Sequence, residues 1–510
     1  MKKIIINKTP WQTRIAILDN QELQNIYFAP HQGTQLERSF FKGIITKVIA
    51  GTQSAFVDIG QEKSGFLHIS EVDHELAIQK ISATTQIDDD EPVKDEEPVK
   101  KISKRTHHSP DIKDIFKEGD PVLVQVSKEP IYEKGPKLTT CFTLPGRFIV
   151  LMPNIPRIGI SKKIESREER IRLKEIVRGH LPEGMGAIIR TTSEEQSSKN
   201  LIKDIDFLVE TWKQIQKKFK AAQSVEKIHE DLDLEFQVVR DSLDDDVESI
   251  IVDDKEAQRR MYKFVKDIAP EHSQNIHIYT DQANIFDYYN ISAQIEAALK
   301  KQVNLKSGGS LIIESTEAMT VIDVNTGRFT GKKSLEDTIF KTNLEAAGEV
   351  VRQLRLRNIG GLIVIDFIDM SSSSNRNKLF NTLGKTLKEK DKFQSVVLKV
   401  SEFGLVEMTR KRSGKTLVQE LTNTCRACHG LGFIKSLQTD CYAIFKELKT
   451  AIAQGKDYKK ILLGVSSAMF DYITSTEYDA ILQLEKMCSC KIEVVRMADF
   501  ATGQYTIEKK

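Results

Sequence analysis

Three polar side chains close runs that are otherwise apolar, and their types suit a hard cation. Within GGSLIIESTEAMTVIDVNTG, residues 308–327, two β-rich runs flank Ser315, Thr316 and Glu317 and read as a hairpin. Alternation along the second run places Asp323 and Asn325 on one face with Met319 and Val321. Within GGLIVIDFIDM, residues 360–370, the apolar stretch 362–365 reads as a central strand buried on both faces, and Asp366 follows directly. A carboxylate at the end of such a strand is unfavourable unless it is paired or binds a cation. Asp369, three residues on, points elsewhere if the strand persists. Two carboxylates can hold magnesium through oxygen, with water in the remaining positions. An ion so held can activate water against a phosphate. The competing reading has both aspartates merely capping the elements that follow.

A second chemistry lies in TNTCRACHGLG, residues 422–432. Cys425 and Cys428 have the spacing of a metal knuckle, but a tetrahedral zinc site needs four ligands. His429 adjoins Cys428 and is poorly placed for the same ion. Neither Cys441 nor the pair Cys488 and Cys490 makes a second C-x-x-C. A second copy of the chain across a two-fold axis would complete the set. Two unligated thiols in a loop are the alternative. An ATPase is excluded by spacing. Gly384-Lys385-Thr386 and Gly414-Lys415-Thr416 both lack the earlier glycine of a phosphate loop, where Leu379 and Thr409 stand.

Other residues could grip a polyanion. Phe56 and Phe66 lie in short β-type runs, with Lys128 and Lys134 in the same region. Exposed aromatics on a barrel stack bases, whereas buried ones are simply core. Arg190 and Thr191 follow a strand and offer a charge and a hydroxyl to a phosphate. Arg410, Lys411 and Arg412 form a basic patch, which is either a substrate contact or a solvated face.

The elements that must position these groups are legible in outline. The chain has 510 residues, 40% hydrophobic and 29% charged, enough for several domains. Its net charge of +2 does not argue against nucleic acid, because phosphate contacts depend on local basicity. Six cysteines, a short N-terminal apolar run and no long apolar stretch point to a reduced, cytoplasmic protein without a membrane span. Residues 1–36 read as strands with a hairpin at Asp19-Asn20. Residues 37–141 read as a small barrel with a charged, loop-like insert at 83–112. Residues 142–236 mix strand and helix. One helix starts at Ser166 and ends at Gly179, and a second covers DFLVETWKQIQKKFKAA. In 237–299, VVRDSL and VESIIVDD read as extended and ISAQIEAALK as helix. Residues 300–421 carry both aspartates, 422–434 the knuckle, and 435–510 a small α/β end piece. Between the aspartate strands, Ser334 and Asp337 resemble a capping box. Ile339, Ala346, Val350 and Leu354 form a buried stripe, and Arg352, Arg355 and Arg357 gather at the last turns, where they favour the helix dipole. A strand, a helix and a second strand would bring Asp323 near Asp366 if the strands are neighbours.

Taken together, AFVDIG and GFLHIS, IVLMPNIPRIGIS, EAMTVIDVNTG, NLEAAGEVVRQLRLRNIGGLIVIDFIDM, GLVEMTRKR and CRACHGLG resemble the ribonuclease E/G family. The motifs keep the family's order over nearly the whole chain. No long disordered scaffold follows the knuckle, so the chain looks like the shorter, G-type members. The resemblance implies a multidomain α/β protein. A ribonuclease H-like part (1–36 and 237–299) is interrupted by an S1-motif OB barrel (37–141) and a 5′-sensor region (142–236). A DNase I-like catalytic part (300–421), a zinc link and a small domain follow.

The resemblance also implies roles. Asp323 and Asp366 match magnesium ligands, and Asn325 matches a residue that positions the scissile phosphate. Cys425 and Cys428 match ligands of a zinc shared by two protomers. Phe56, Phe66 and Lys134 match RNA contacts. Arg190 and Thr191 match a pocket for a 5′-monophosphate lined by Gly146 and Val150. Lys162 departs from the arginine found in ribonuclease E, and a lysine cannot bind bidentately. The implied activity is magnesium-dependent endonucleolytic cleavage of A/U-rich single-stranded RNA. It would serve 5′ maturation of ribosomal RNA and messenger turnover, in a homodimer or larger assembly. A non-catalytic S1-type RNA-binding protein is the competing class, and it has no need of Asp323, Asn325 and Asp366 together.

Overall fold

The structure, a computed structural model, describes residues 1–30, 36–73, 111–130, 135–244, 246–327, 335–401, 403–412, 414–453, 459–501 and 503–509. Nearly all of the charged insert, together with Lys134 and Ser334, lies outside the described residues. The chain divides into two compact units, residues 1–418 and 419–510.

The first sheet of the larger unit draws on two distant segments. Its order is Ile276–Ile278, Val247–Val252, Lys2–Lys8, Gln12–Asp19, Glu22–Pro30. Lys2–Lys8 runs parallel to Val247–Val252 and antiparallel to Gln12–Asp19. Its three isoleucines are all buried: Ile4 and Ile6 enter one core and Ile5 another. A continuous apolar run is what a strand covered on both faces requires. The hairpin after Asp19 turns through Asn20 and Gln21, both at positive φ.

VVRDSL is not extended. It belongs to the helix Leu234–Ser242. Phe236, Val239 and Leu243 recur at helical spacing and are buried, and this period outweighs the local β-preference of two adjacent valines. The helix expected to stop at Gly179 runs one residue further, as Arg167–His180. Its N-cap is as read, with Ser166 accepting from the Glu169 amide at 3.2 Å.

Five strands close a barrel. Phe40–Ile49, Ser54–Asp58, Gly65–His68, Lys137–Thr139 and Pro121–Lys128 pair in that order, and the last pairs back with the first. A closed barrel leaves none of these five strands with an open edge along its whole length. Beside it, a four-stranded sheet has the order Ile158–Ile160, Gly186–Ile189, Ile149–Met152, Leu144–Pro145. The helices Arg167–His180 and Ser198–Ala221 share a core with this sheet through Leu173, Val177, Leu201, Ile205 and Leu208.

The aspartate strands lie in a six-stranded sheet. Its order is Gln302–Asn304, Ser310–Ser315, Met319–Asn325, Gly361–Asp366, Leu405–Arg410, Ser395–Val397. Helices Leu335–Leu356 and Ser373–Lys390 share a core with the face that carries Ile322, Val324, Ile363 and Ile365. Within that core, Ala346, Val350 and Leu354 of the expected stripe are fully buried and Ile339 packs beside them. The run 362–365 is not buried on both faces: Ile363 and Ile365 are at 0% exposure, but Leu362 is 40% exposed. Helices cover one face only, so apolar residues occupy an open face as well.

The smaller unit is a three-stranded sheet of order Lys491–Met497, Lys460–Ser466, Tyr505–Lys509. Its core includes Ile444 and Leu448 from the helix Leu437–Ala453. Among the described residues, no helix is long and apolar enough to cross a membrane.

Candidate active site and substrate-contacting surfaces

Strand register brings the two aspartates together. Met319–Asn325 and Gly361–Asp366 are parallel neighbours, and Asp323 is the register partner of Asp366. Both belong to the helix-free face, with Met319, Val321, Leu362 and Val364 behind them. Asn325 shares that face and donates from Nδ2 to Asp323 Oδ2 at 2.7 Å. Burial, then repulsion from Asp323 and Asp369, pushes the Asp366 carboxyl above its usual range. A cation would relieve that repulsion, so the donor set suits a hard divalent ion. Among the described residues no cluster of three or more His, Cys, Asp or Glu is arranged for a metal. An ion held by Asp323 and Asp366 alone would have to keep most of its own waters. Asp369 is not a register partner of Asp323 but lies against Gly404, where an added β-carbon would stand 2.8 Å from its Oδ1, and its charge still reaches Asp366.

The chain after Asp366 is held from several sides. Asn343 donates to the Ile368 carbonyl at 2.8 Å and accepts from the Ile368 amide at 3.1 Å. Glu336 accepts from the amides of Ser371 and Ser372 at the start of the helix Ser373–Lys390. Arg410, on the strand next to Asp366's, is buried and is not part of a surface basic patch. It donates to Asp391 at 2.6 and 3.0 Å and to the Ile359 carbonyl at 2.6 Å. Lys411 and Arg412 alone are exposed. The three helix arginines do more than favour a dipole. Arg355 donates to the Gln24 and Asn25 side chains, Arg352 pairs with Glu349, and burial pushes Arg357 down to about 10.

On the barrel, Phe56 and Phe66 are register partners with centroids 5.9 Å apart, both half-buried and alternating with buried Ala55, Val57 and Leu67. They lie on the outer face, not in the core. The registers extend this row to Lys47 on one side and to Lys137, then Lys128, on the other. His68 stacks on Phe66 at 6.4 Å. Lys47 and Lys137 escaped sequence reasoning because only strand register aligns them with the two phenylalanines, whereas His68, two residues after Phe66 on the same strand, was within reach of simple alternation. Lys137 also pairs with Glu71.

The residues expected around a 5′ end meet at one end of the four-stranded sheet. Val150 pairs with Ile188, and the Arg190 amide donates to the Phe148 carbonyl at 2.8 Å. Ile160 is in register with Ile189, so both chains leave the sheet together: Ser161 Oγ lies 3.0 Å from Thr191 Oγ1, and Lys162 follows, exposed. Gly146 has a steric reason to be glycine, since a β-carbon there would stand 2.5 Å from Asp204 Oδ2. Asp204 accepts from the amides of Arg147, Phe148 and Ile149 at 3.2, 2.9 and 3.0 Å, and burial pushes its carboxyl up. Arg190 Nη1 donates to Asp241 at 2.7 Å. Neither acid announces itself in the sequence, because both sit within helices remote from the motif.

In the smaller unit, the knuckle is a tight turn. The His429 amide donates to the Cys425 carbonyl at 2.8 Å, and the Leu431 amide to the Cys428 carbonyl at 2.8 Å. The amides of Cys428 and Ala427, then the Cys428 thiol, lower the Cys425 thiol's pKa, which favours the thiolate a metal needs. His429, Gly430 and Gly432 all take positive φ.

A family model described as "Ribonuclease E/G family" matches residues 143–413, and one described as "RNase E/G, Thioredoxin-like domain" matches residues 424–510. Ribonuclease G of Escherichia coli (strain K12) is 36% identical over 492 residues, 96% of each chain. Ribonuclease G of Haemophilus influenzae is 37% identical over 493 residues, again 96% of each. Ribonuclease E of Escherichia coli (strain K12) is 36% identical over 450 residues, 88% of this chain and 40% of that one.

Proposed function

The chain belongs to the ribonuclease E/G family, a family of endoribonucleases, and on that premise we propose that it cuts single-stranded, A/U-rich RNA with Asp323 and Asp366 as ligands of a catalytic magnesium ion. The observation that carries this reading is the shared register of the two carboxylates on an open sheet face. Magnesium, when bound, supplies a Lewis acid for the attacking water and for charge developing on the phosphate, and the product keeps a 3′-hydroxyl. Asp323 and Asp366 would hold the ion through their carboxylate oxygens. Asn325, already bonded to Asp323, fixes that carboxylate's rotamer and keeps its second N–H for a phosphate oxygen. The half-exposed apolar side chains behind the pair offer a flat seat for unpaired bases.

Phe56 and Phe66, flanked by lysines, are proposed to stack bases upstream or downstream of the cut, with Lys128 and Lys134 drawing in the backbone. Arg190, Thr191 and Lys162, with Gly146 and Val150, are proposed to read a 5′-monophosphate. Lys162 contributes a point charge there, not a fork. Cys425 and Cys428 would supply half of a zinc site that a second copy completes, making the enzyme a homodimer. Maturation of ribosomal RNA 5′ ends and messenger turnover are the processes this activity would serve, and the reduced thiols accord with the cytoplasm.

The test is cleavage of a single-stranded A/U-rich oligonucleotide, 5′-phosphorylated or 5′-hydroxylated, with magnesium, by wild type and Asp323→Asn. Equal cleavage by the two proteins overturns the assigned site. Equal rates on the two oligonucleotides overturn the sensor. RNA binding without cleavage by wild type would favour the non-catalytic alternative.

A further inference from the structure

The 5′-end pocket contains a partly buried ion network that the proposed phosphate contacts do not by themselves require. Its centre is Asp241, on the helix Leu234–Ser242, far along the chain from the strand that precedes Arg190. Asp241 Oδ1 accepts from Arg190 Nη1 at 2.7 Å and from Arg240 Nε at 3.1 Å. Arg240, 4% exposed, reaches back to the same pocket and donates from Nη1 to the Pro145 carbonyl at 3.0 Å, one residue before Gly146. Arg240 also lies 3.5 Å from Asp231, which in turn lies 3.4 Å from Arg38. Two successive residues of one helix thus hold both sides of the pocket, Arg240 at Pro145 and Asp241 at Arg190.

An arginine side chain has many rotamers, and a phosphate gains most from a guanidinium that already points the right way. Among the described residues the Arg190 side chain has one hydrogen-bond partner, Asp241, and it uses one of five N–H donors. The tether fixes the side chain and leaves the remaining donors for oxygen atoms of a phosphate. Asp241 does not cancel the charge of Arg190, because Arg240 shares the same carboxylate oxygen. Asp204 lies at the Gly146 side of the pocket, close enough to feel the charge of Arg190. It fills the amide cradle of Arg147, Phe148 and Ile149, so a phosphate must be bound by side chains such as Arg190 and not by those amides.

We infer that Asp241 is a positioning residue of the 5′-end pocket, holding the Arg190 guanidinium in the orientation that receives a terminal RNA phosphate. The inference rests on the proposed sensor role of Arg190. It goes further by making discrimination between 5′ ends depend on a residue that never touches the RNA.

The experiment uses the full-length protein and the paired 5′-phosphorylated and 5′-hydroxylated oligonucleotides, and reads the ratio of their kcat/KM values. Arg190→Gln sets the floor. Asp241→Asn is expected to lower the ratio about five-fold, mainly by raising KM for the phosphorylated substrate. Asp241→Glu keeps the charge and the pairing of Arg240 and is expected to fall between Asn and wild type. If Asp241→Asn unfolds below the assay temperature, Asp241→Glu decides, since a longer carboxylate must displace Arg190. A wild-type ratio in the folded variants, or equal slowing on both substrates, overturns the positioning role while Arg190→Gln still lowers the ratio. A wild-type ratio in Arg190→Gln removes the sensor reading and this inference with it.

Discussion

The aspartate pair and the cysteine pair are both proposed to hold a cation, and they are assembled in opposite ways. Cys425 and Cys428 are neighbours in sequence, brought together by one turn whose amides also favour the thiolate. Asp323 and Asp366 are separated by a whole helix, and only the parallel register of their strands makes them partners. On the proposed reading, a local turn presents half a site and leaves completion to a second chain. A sheet builds its pair within one chain but depends on everything that sets the register. The cysteine site should therefore fail by dissociation, and the aspartate site by loss of chemistry or loss of the fold beneath it.

That contrast can be broken at its strongest point first. Asp323→Asn is expected to slow cleavage about a thousand-fold while leaving the mass in solution unchanged. Cleavage within about tenfold of wild type would mean that the register pair is not the metal site.

Next is the sheet itself. Arg410→Met leaves Asp391 buried without its partner, and denaturant titration should register a loss of about 3–5 kcal/mol. A loss below about 1 kcal/mol would show that the register does not depend on this ion pair.

Phe66→Ala removes half of the outer aromatic row and should weaken RNA binding about tenfold, seen as a higher KM with kcat less affected. An unchanged KM would assign the row to structure alone.

Cys425→Ser should release zinc and reduce the mass in solution about two-fold, from a linked dimer to a monomer. A dimer that persists with bound zinc would show that this site does not join chains.

The smallest effect is on pH. The Asp366 carboxyl lies above its ordinary range, so it stays protonated to a higher pH than a free aspartate, and the ionised form proposed to bind metal is lost sooner as pH falls. By linkage, the same shift means that its contribution to stability is present at low pH and lost as pH rises through the folded value. Asp369→Asn removes one repelling charge and should move the acid limb of magnesium-dependent cleavage to lower pH. An unmoved limb would show that Asp369 does not act on the pair.

Much of this was readable from the chain because it depends on local periodicity. The hairpin ending in Asp323 and Asn325, the buried helix stripe and the glycine-rich cysteine turn each follow from spacing within a few residues. Reading failed where the window was too short or the partner too remote. VVRDSL looked extended because its helical period begins at Phe236. Arg410 looked like part of a basic surface because its partner, Asp391, arrives from the end of another helix. Residues 362–365 looked doubly buried because apolar side chains do not reveal which face of a sheet a helix will cover.

The sequence by itself therefore determined the chemical inventory: two strand-end carboxylates, an amide beside one of them, a half-set of thiols and a pair of aromatics. Tertiary structure alone decided what meets what. Register made Asp323 and Asp366 partners, strand pairing within the barrel put lysines beside the phenylalanines, and a helix from a distant segment carried Asp241 to Arg190. The physical reason is range. Backbone periodicity and turn chemistry act over a few residues, whereas strand pairing and buried ion networks are settled only when distant segments pack.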